Sequence, residues 1–174
     1  MIIRKANAED IKKAYNVYSK VLLNEEEGKT SIGWIRGVYP TFKTVEDAIS
    51  ADDFFVYEES GEILACARIN QIQVPEYSNA DWEYKDVPDD KIMVLHTLAV
   101  DPDAGGKGIG SKFVAFYEEY ARKSGCTHLR MDTNEKNLNA RRLYNKLGYF
   151  EADIVPCDFN GIKGIQLVCL EKKL

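Results

Sequence analysis

The chain has 174 residues, 45% of them hydrophobic, and a formal net charge of −5. That length suits a single domain, 1–174, with a substantial core, and no apolar run is long enough to form a transmembrane helix. The acidic balance argues against nucleic acid as a partner, and nothing in the composition points to a membrane.

The N-terminus, MIIRKANAEDI, opens with a short strand, Ile2 to Lys5. It lacks the apolar core and cleavage site of a secretory leader, so a cytoplasmic location is expected. Asn7 with Asp10 forms a capping box that starts a helix running toward Leu23. Asn24 to Thr41 mixes glycine, proline and aromatics and reads as a loop, after which Thr44 with Asp47 is expected to cap a short helix. Phe54 to Glu58 is a strand, Ser60-Gly61 a hairpin signal, and Ile63 to Ile72 a second strand. Pro75 to Asp90, acidic but carrying Tyr77, Trp82 and Tyr84, reads as a long loop.

Ile92 to Val100 is strongly strand-like. From Gly110 to Ser124 the apolar residues Phe113, Phe116, Tyr117, Tyr120 and Ala121 recur at helical spacing, and Gly125 ends the helix. His128 to Met131 is a buried strand. Asn137 to Leu147 is helical again, with Ala140, Leu143, Tyr144 and Leu147 on one face. Two strands, Tyr149 to Val155 and Ile165 to Glu171, close the chain around the turn signal FNGI. The order describes one mixed α/β sheet. Cys66, Cys126, Cys157 and Cys169 form no C-x-x-C pair and are expected as reduced thiols; two distant histidines give no support to a metal site.

The stretch LAVDPDAGGKGIGSKF (Leu98 to Phe113) joins a strand to a helix through a glycine-rich turn, the grammar of a phosphate-binding loop. A dinucleotide loop needs G-x-G-x-x-G near a first strand, whereas here the third glycine falls one residue early and the loop follows a later strand. A nucleoside-triphosphate loop needs Gly-Lys and then Ser or Thr, whereas the order here is Gly110-Ser111-Lys112. Both nucleotide readings fail on spacing.

A second motif, NLNARRLYNKLGY (Asn137 to Tyr149), follows with the spacing N-x-x-A-x-x-L-Y-x-K-x-G-Y. Together with Val100-Asp101-Pro102 and Gly105-x-x-Gly108-x-Gly110, it resembles the GNAT superfamily of acyl-CoA-dependent N-acetyltransferases. The resemblance implies an α/β fold (an α+β mixed sheet), mostly antiparallel, with one splayed parallel pair and flanking helices. It also implies acetyl-CoA as cosubstrate, with no metal, and a small-molecule or peptide amine as acceptor. Homodimers are frequent in the family. By the same resemblance, the cofactor-binding residues are Leu98, Ala99, Val100, Gly105, Gly106, Lys107, Gly108, Ile109, Gly110, Ser111, Asn137 and Ala140. Gly105 departs from the family pattern, which has Arg or Gln there. Lys107, Lys112, Arg141, Arg142 and Lys146 offer a local basic island for the phosphates.

Acetyl transfer to an amine needs a proton acceptor for the amine and a proton donor for the departing thiolate. Tyr144 matches the family tyrosine that protonates the thiolate. His96 is the candidate base, expected to share a sheet face with Leu98 and Val100 by simple alternation. Glu26, Glu27 and the acidic loop after Pro75 are alternatives. Trp34 and Tyr39, in the loop that shapes the acceptor site in the family, are expected to line it. The competing reading is a catalytically lapsed acyl-CoA-binding module with a regulatory role.

Overall fold

A computed structural model describes residues 1–174. Seven strands form one sheet: β1 (Ile2–Lys5), β2 (Phe54–Glu59), β3 (Glu62–Asn70), β4 (Ile92–Val100), β5 (His128–Asn134), β6 (Phe150–Phe159) and β7 (Ile162–Lys173). Their spatial order is β1-β2-β3-β4-β5-β7-β6. Every neighbouring pair is antiparallel except β4 and β5, which run parallel. Four helices complete the architecture: α1 (Ile11–Glu26), α2 (Phe42–Ser50), α3 (Ile109–Lys123) and α4 (Leu138–Lys146). This is the mixed, mostly antiparallel sheet with flanking helices that the sequence implied.

Side-chain alternation along the strands sorts the core into two layers. Ala65, Ala67, Ile69, Met93, Leu95, Leu129 and Met131 meet the apolar faces of α3 and α4 on one side. On the other side Phe54, Val56 and Cys66 pack under α1 and α2. That second layer continues past the helices, where Tyr77 and Trp82 from the loop before β4 cover Ile92, Val94 and Leu167. The loop therefore does the work of a helix, with Tyr77 and Trp82 buried and Tyr84 partly so.

Local chemistry explains the boundaries. Asn7 and Asp10 make the expected reciprocal box, and the helical segment extends to Glu26. The cap of α2 differs from the expectation: Thr41 and Thr44 bond each other's backbone, while Asp47 makes a surface pair with Lys43 at 2.7 Å. Both closing strands are longer than expected because Asn160 and Gly161, at φ +52° and +82°, turn the chain tightly and let pairing begin at once. β5 likewise runs on through Asp132 and Thr133 to Asn134, which pairs with Leu167 of β7. No helix is long and apolar enough to cross a membrane.

Candidate active site

The parallel pair separates partway along its length. β4 and β5 are in register from Ile92–His128 to Leu95–Met131, and beyond Leu95 no residue of β4 pairs with β5. On its other edge β4 stays paired with β3 to Val100. A cavity of about 320 Å³ opens in the resulting gap, bordered by residues from both layers of the molecule.

A β-bulge shapes the near wall. Arg68 pairs with His96 and Cys66 with Ala99, so Thr97 and Leu98 together oppose Ala67. Thr97 carries the extra residue's conformation, a φ of +55° that a β-branched side chain rarely adopts. Two tyrosines hold it there. The Tyr18 hydroxyl donates to Thr97 O at 2.9 Å, and the Tyr39 hydroxyl bonds Thr97 Oγ1. Tyr39 stacks edge-on against Trp34, and Trp34 against Tyr18.

The bulge corrects the expectation of simple alternation. Leu98 and Val100 pack against the α3 layer with Met93 and Leu95, whereas His96 lies on the opposite face, level with Arg68. There it joins a polar chain: His96 Nε2 meets Asn70 Oδ1 at 2.9 Å, and Asn70 Nδ2 donates to Asp53 Oδ2 at 2.7 Å. Burial, reinforced by the nearby Arg68 cation, pushes the imidazole down to about 4. At neutral pH it is a neutral hydrogen-bonding group.

Across the gap stands a residue the sequence reading passed over. Asp132 lines the cavity on β5, on the same sheet face as His96 and Arg68. Its Oδ2 accepts from the Tyr77 hydroxyl at 2.8 Å, while Oδ1 has no protein partner. Burial raises this carboxyl from 3.8 to about 6; the Tyr77 bond opposes the rise and Glu76 adds to it. Tyr144 reaches the cavity from α4, on the opposite layer. Its hydroxyl has no protein hydrogen-bond partner, and burial together with the Asp132 charge holds it well above the ordinary tyrosine value.

At the mouth of the α3 side lies the glycine turn. The amides of Gly106 through Ser111 donate to no acceptor in the protein; the first that does is Lys112, onto Gly108 O at 3.1 Å. Gly108 sits in the left-handed region at the N-cap of α3, φ +68°. Gly110 is needed for space: a Cβ there would meet Leu143 Cδ2 of α4 at 3.2 Å. A run of free amides at a helix start is a cradle for a phosphate anion.

Residues 22–149 match the family model described as the acetyltransferase (GNAT) family. The chain belongs to that family. An uncharacterised N-acetyltransferase of Methanocaldococcus jannaschii is 28% identical over 107 residues, 60% of this chain and 42% of that one. The chain spans about half the length of the curated relatives it matches. Among solved structures, a GNAT-family acetyltransferase of Streptococcus agalactiae superimposes with a TM-score of 0.81 at 21% identity, over 99% of this chain and 95% of that one. An acetyltransferase of Salmonella typhimurium, solved with acetyl-CoA, gives 0.70 at 21% identity over 100% and 94%. At these identities the superpositions show a shared GNAT fold.

Within that fold, Trp34, Tyr39, His96, Leu98, Asn137, Ala140 and Tyr144 all border one cavity. Asn137 also has structural work, capping α4 at Ala140 N and donating to Thr133 Oγ1. Ala99 points away from the cavity into the α1 layer. Arg141 leaves the expected basic island: its guanidinium forks onto Glu151 and donates to Glu135 O. Glu26 is paired with Arg36, Glu27 with Lys29, and of the acidic loop only Pro75 borders the cavity. None of those carboxylates reaches the gap.

Proposed function

We propose that the protein transfers an acetyl group from acetyl-CoA to a primary amine, of a small molecule or a peptide N-terminus, within a ternary complex. The observation carrying this reading is the gap between β4 and β5, with a protonated Tyr144 on one side and an ionisable Asp132 on the other. Two reactants can then approach from opposite faces of the sheet and meet in its plane.

The free amides of Gly106 to Ser111 suit the CoA pyrophosphate, and Lys107 and Lys112 bring positive charge in the same segment. Gly105, at φ −56°, brings no side chain to this contact, so the backbone carries it. The β5-facing main-chain edge of Leu98, Ala99 and Val100 takes the pantetheine arm, an extra strand's position against β4. Asn137 and Ala140 wall the arm from α4. When bound, acetyl-CoA supplies the acetyl group as a thioester.

Asp132 holds the incoming ammonium by charge while it gives one proton to solvent; the neutral amine then attacks the thioester carbonyl, and Asp132 accepts the second proton from nitrogen as the C–N bond forms. A carboxylate titrating near 6 is ionised at neutral pH and better matched to that task than His96 near 4. His96 instead orients Asn70. Tyr144 gives its proton to sulfur as the C–S bond breaks, and the proton taken up by Asp132 returns through solvent to the Tyr144 oxygen, which resets both groups. The Asp132 charge keeps Tyr144 protonated until that moment, which couples the two groups.

Thermal unfolding with acetyl-CoA, CoA, ATP and NAD tests the ligand class: the CoA compounds alone should stabilise, by about 3 kcal/mol at a hundredfold excess over Kd. Thiol release across an amine panel tests the chemistry. Tyr144→Phe should lower kcat by about 100-fold with little change in CoA affinity. CoA binding without turnover on any amine favours the acyl-CoA-binding module instead.

A further inference from the structure

The acceptor side of the cavity holds a second charged group that acetyl transfer does not use. Arg68 projects from β3 onto the same sheet face as Asp132 and borders the same cavity. Its Nε is anchored on Asp53, 2.8 Å from Oδ1 and 2.9 Å from Oδ2. Asp53 is fixed in turn by Asn70 Nδ2, itself in contact with His96. The two terminal nitrogens of Arg68 have no acceptor in the protein, and the side chain keeps 34% of its surface exposed against 13% for Asp53.

A guanidinium held by Nε alone presents its terminal N–H groups as a fork already oriented for a planar anion. Orientation has been settled by Asp53 and Asn70, so little side-chain entropy is lost when the fork is occupied. Asp132 offers the opposite charge, with Oδ1 free. The chamber between them is thus complementary to a molecule with a cation at one end and an anion at the other. The other walls mix apolar side chains, including Trp34, Phe159 and Ile165, with neutral polar ones such as Gln73, Asn134 and Asn160, so Arg68 and Asp132 are the two Lys, Arg, Asp or Glu side chains that border the cavity.

We infer that the acceptor is an amino acid, its amine directed to Asp132 and the thioester and its free carboxylate seated on the terminal nitrogens of Arg68. This rests on the acetyl-transfer reading above and narrows the substrate class of that same site. Arg68 acts in specificity, since it touches the part of the substrate that does not react.

The test compares amino acids with the same amines lacking the carboxylate: leucine with 3-methylbutylamine, phenylalanine with phenethylamine, and 5-aminopentanoate with butylamine. Thiol release gives kcat/KM for each, in the parent protein and in Arg68→Gln. At least one pair should favour the amino acid in the parent, and its ratio should fall by about 10- to 100-fold in Arg68→Gln, the range expected for one charge-assisted fork. Comparing each pair's ratio between the parent and Arg68→Gln cancels the difference in amine basicity within the pair. A purely structural role for Arg68 lowers both members of a pair alike and leaves the ratio unmoved, which overturns the inference. So does a parent enzyme that prefers the plain amine in all three pairs; in that case acetyl transfer stands and only the substrate class falls. Absence of any thermal shift with CoA removes the acetyl-transfer reading and this inference together.

Discussion

Replacing Asp132 by Asn separates what the buried carboxyl costs from what it does. In the folded chain the group titrates near 6 instead of 3.8. A folded-state value above the unfolded one means the native protein holds more protons between those limits, so stability falls as pH rises through the window. At ~1.4 kcal/mol per pH unit, the penalty grows to about 3 kcal/mol by about pH 8 and shrinks below about 1 kcal/mol near pH 4. Asn keeps an oxygen for the Tyr77 hydroxyl, 2.8 Å away, and removes the charge. Asp132→Asn should therefore unfold several degrees higher than the parent at about pH 8, with the difference nearly gone at about pH 4. Calorimetry at both pH values reads this directly. The same variant should lose about 100-fold or more in kcat, and the limb of kcat/KM that rises with pH near 6 should vanish. An equal change in melting temperature at the two pH values, or a surviving limb, would refute the reasoning.

Tyr39→Phe removes the hydroxyl that latches Thr97 Oγ1; we expect a loss of about 1 kcal/mol in stability and a fall in kcat larger than the rise in KM for CoA. Gly110→Ala drives a methyl to within 3.2 Å of Leu143 Cδ2, so α3 and α4 must part slightly; CoA affinity by calorimetry should weaken by about tenfold or less while the fold survives. Asp10 is held below its usual range by Arg4, with the Asn7 amide adding to it. Its depressed value stabilises the native state above the unfolded pKa and is lost as pH falls. Asp10→Ala should therefore cost about 1–2 kcal/mol at neutral pH and much less in acid, by urea denaturation at the two pH values.

The helices, the strand order along the chain and the glycine turn were legible because each rests on local signals: caps, apolar spacing, and left-handed glycines. The motif at Asn137 to Tyr149 led to Tyr144 for the same reason. What escaped depended on pairing between distant segments. Nothing near Thr97 announces a bulge, since the irregularity arises from its register with β3 and from two tyrosines contributed by α1 and the following loop. The shift moved His96 off the face it was expected to share. Asp132 lies one residue past Met131, where the apolar run that marks β5 in the sequence stops. The alternation of Arg130, Asp132 and Asn134 against Leu129, Met131 and Thr133 was the available sign that the strand runs on. Its raised titration comes from burial under Tyr77, a loop residue whose place on the sheet no local pattern reveals.

The separation of β4 from β5 leaves the sheet as two leaves, β1 to β4 and β5 to β7, stitched in register only from Ile92–His128 to Leu95–Met131. Past the last stitch, the ladder is missing its rungs on one side of β4. A ligand arm lying along Leu98 to Val100 would supply those rungs itself. Occupancy should then slow amide exchange along the far half of β4 and in β5, well beyond the atoms in contact. Such a ligand becomes, for as long as it is bound, a structural strand of the protein.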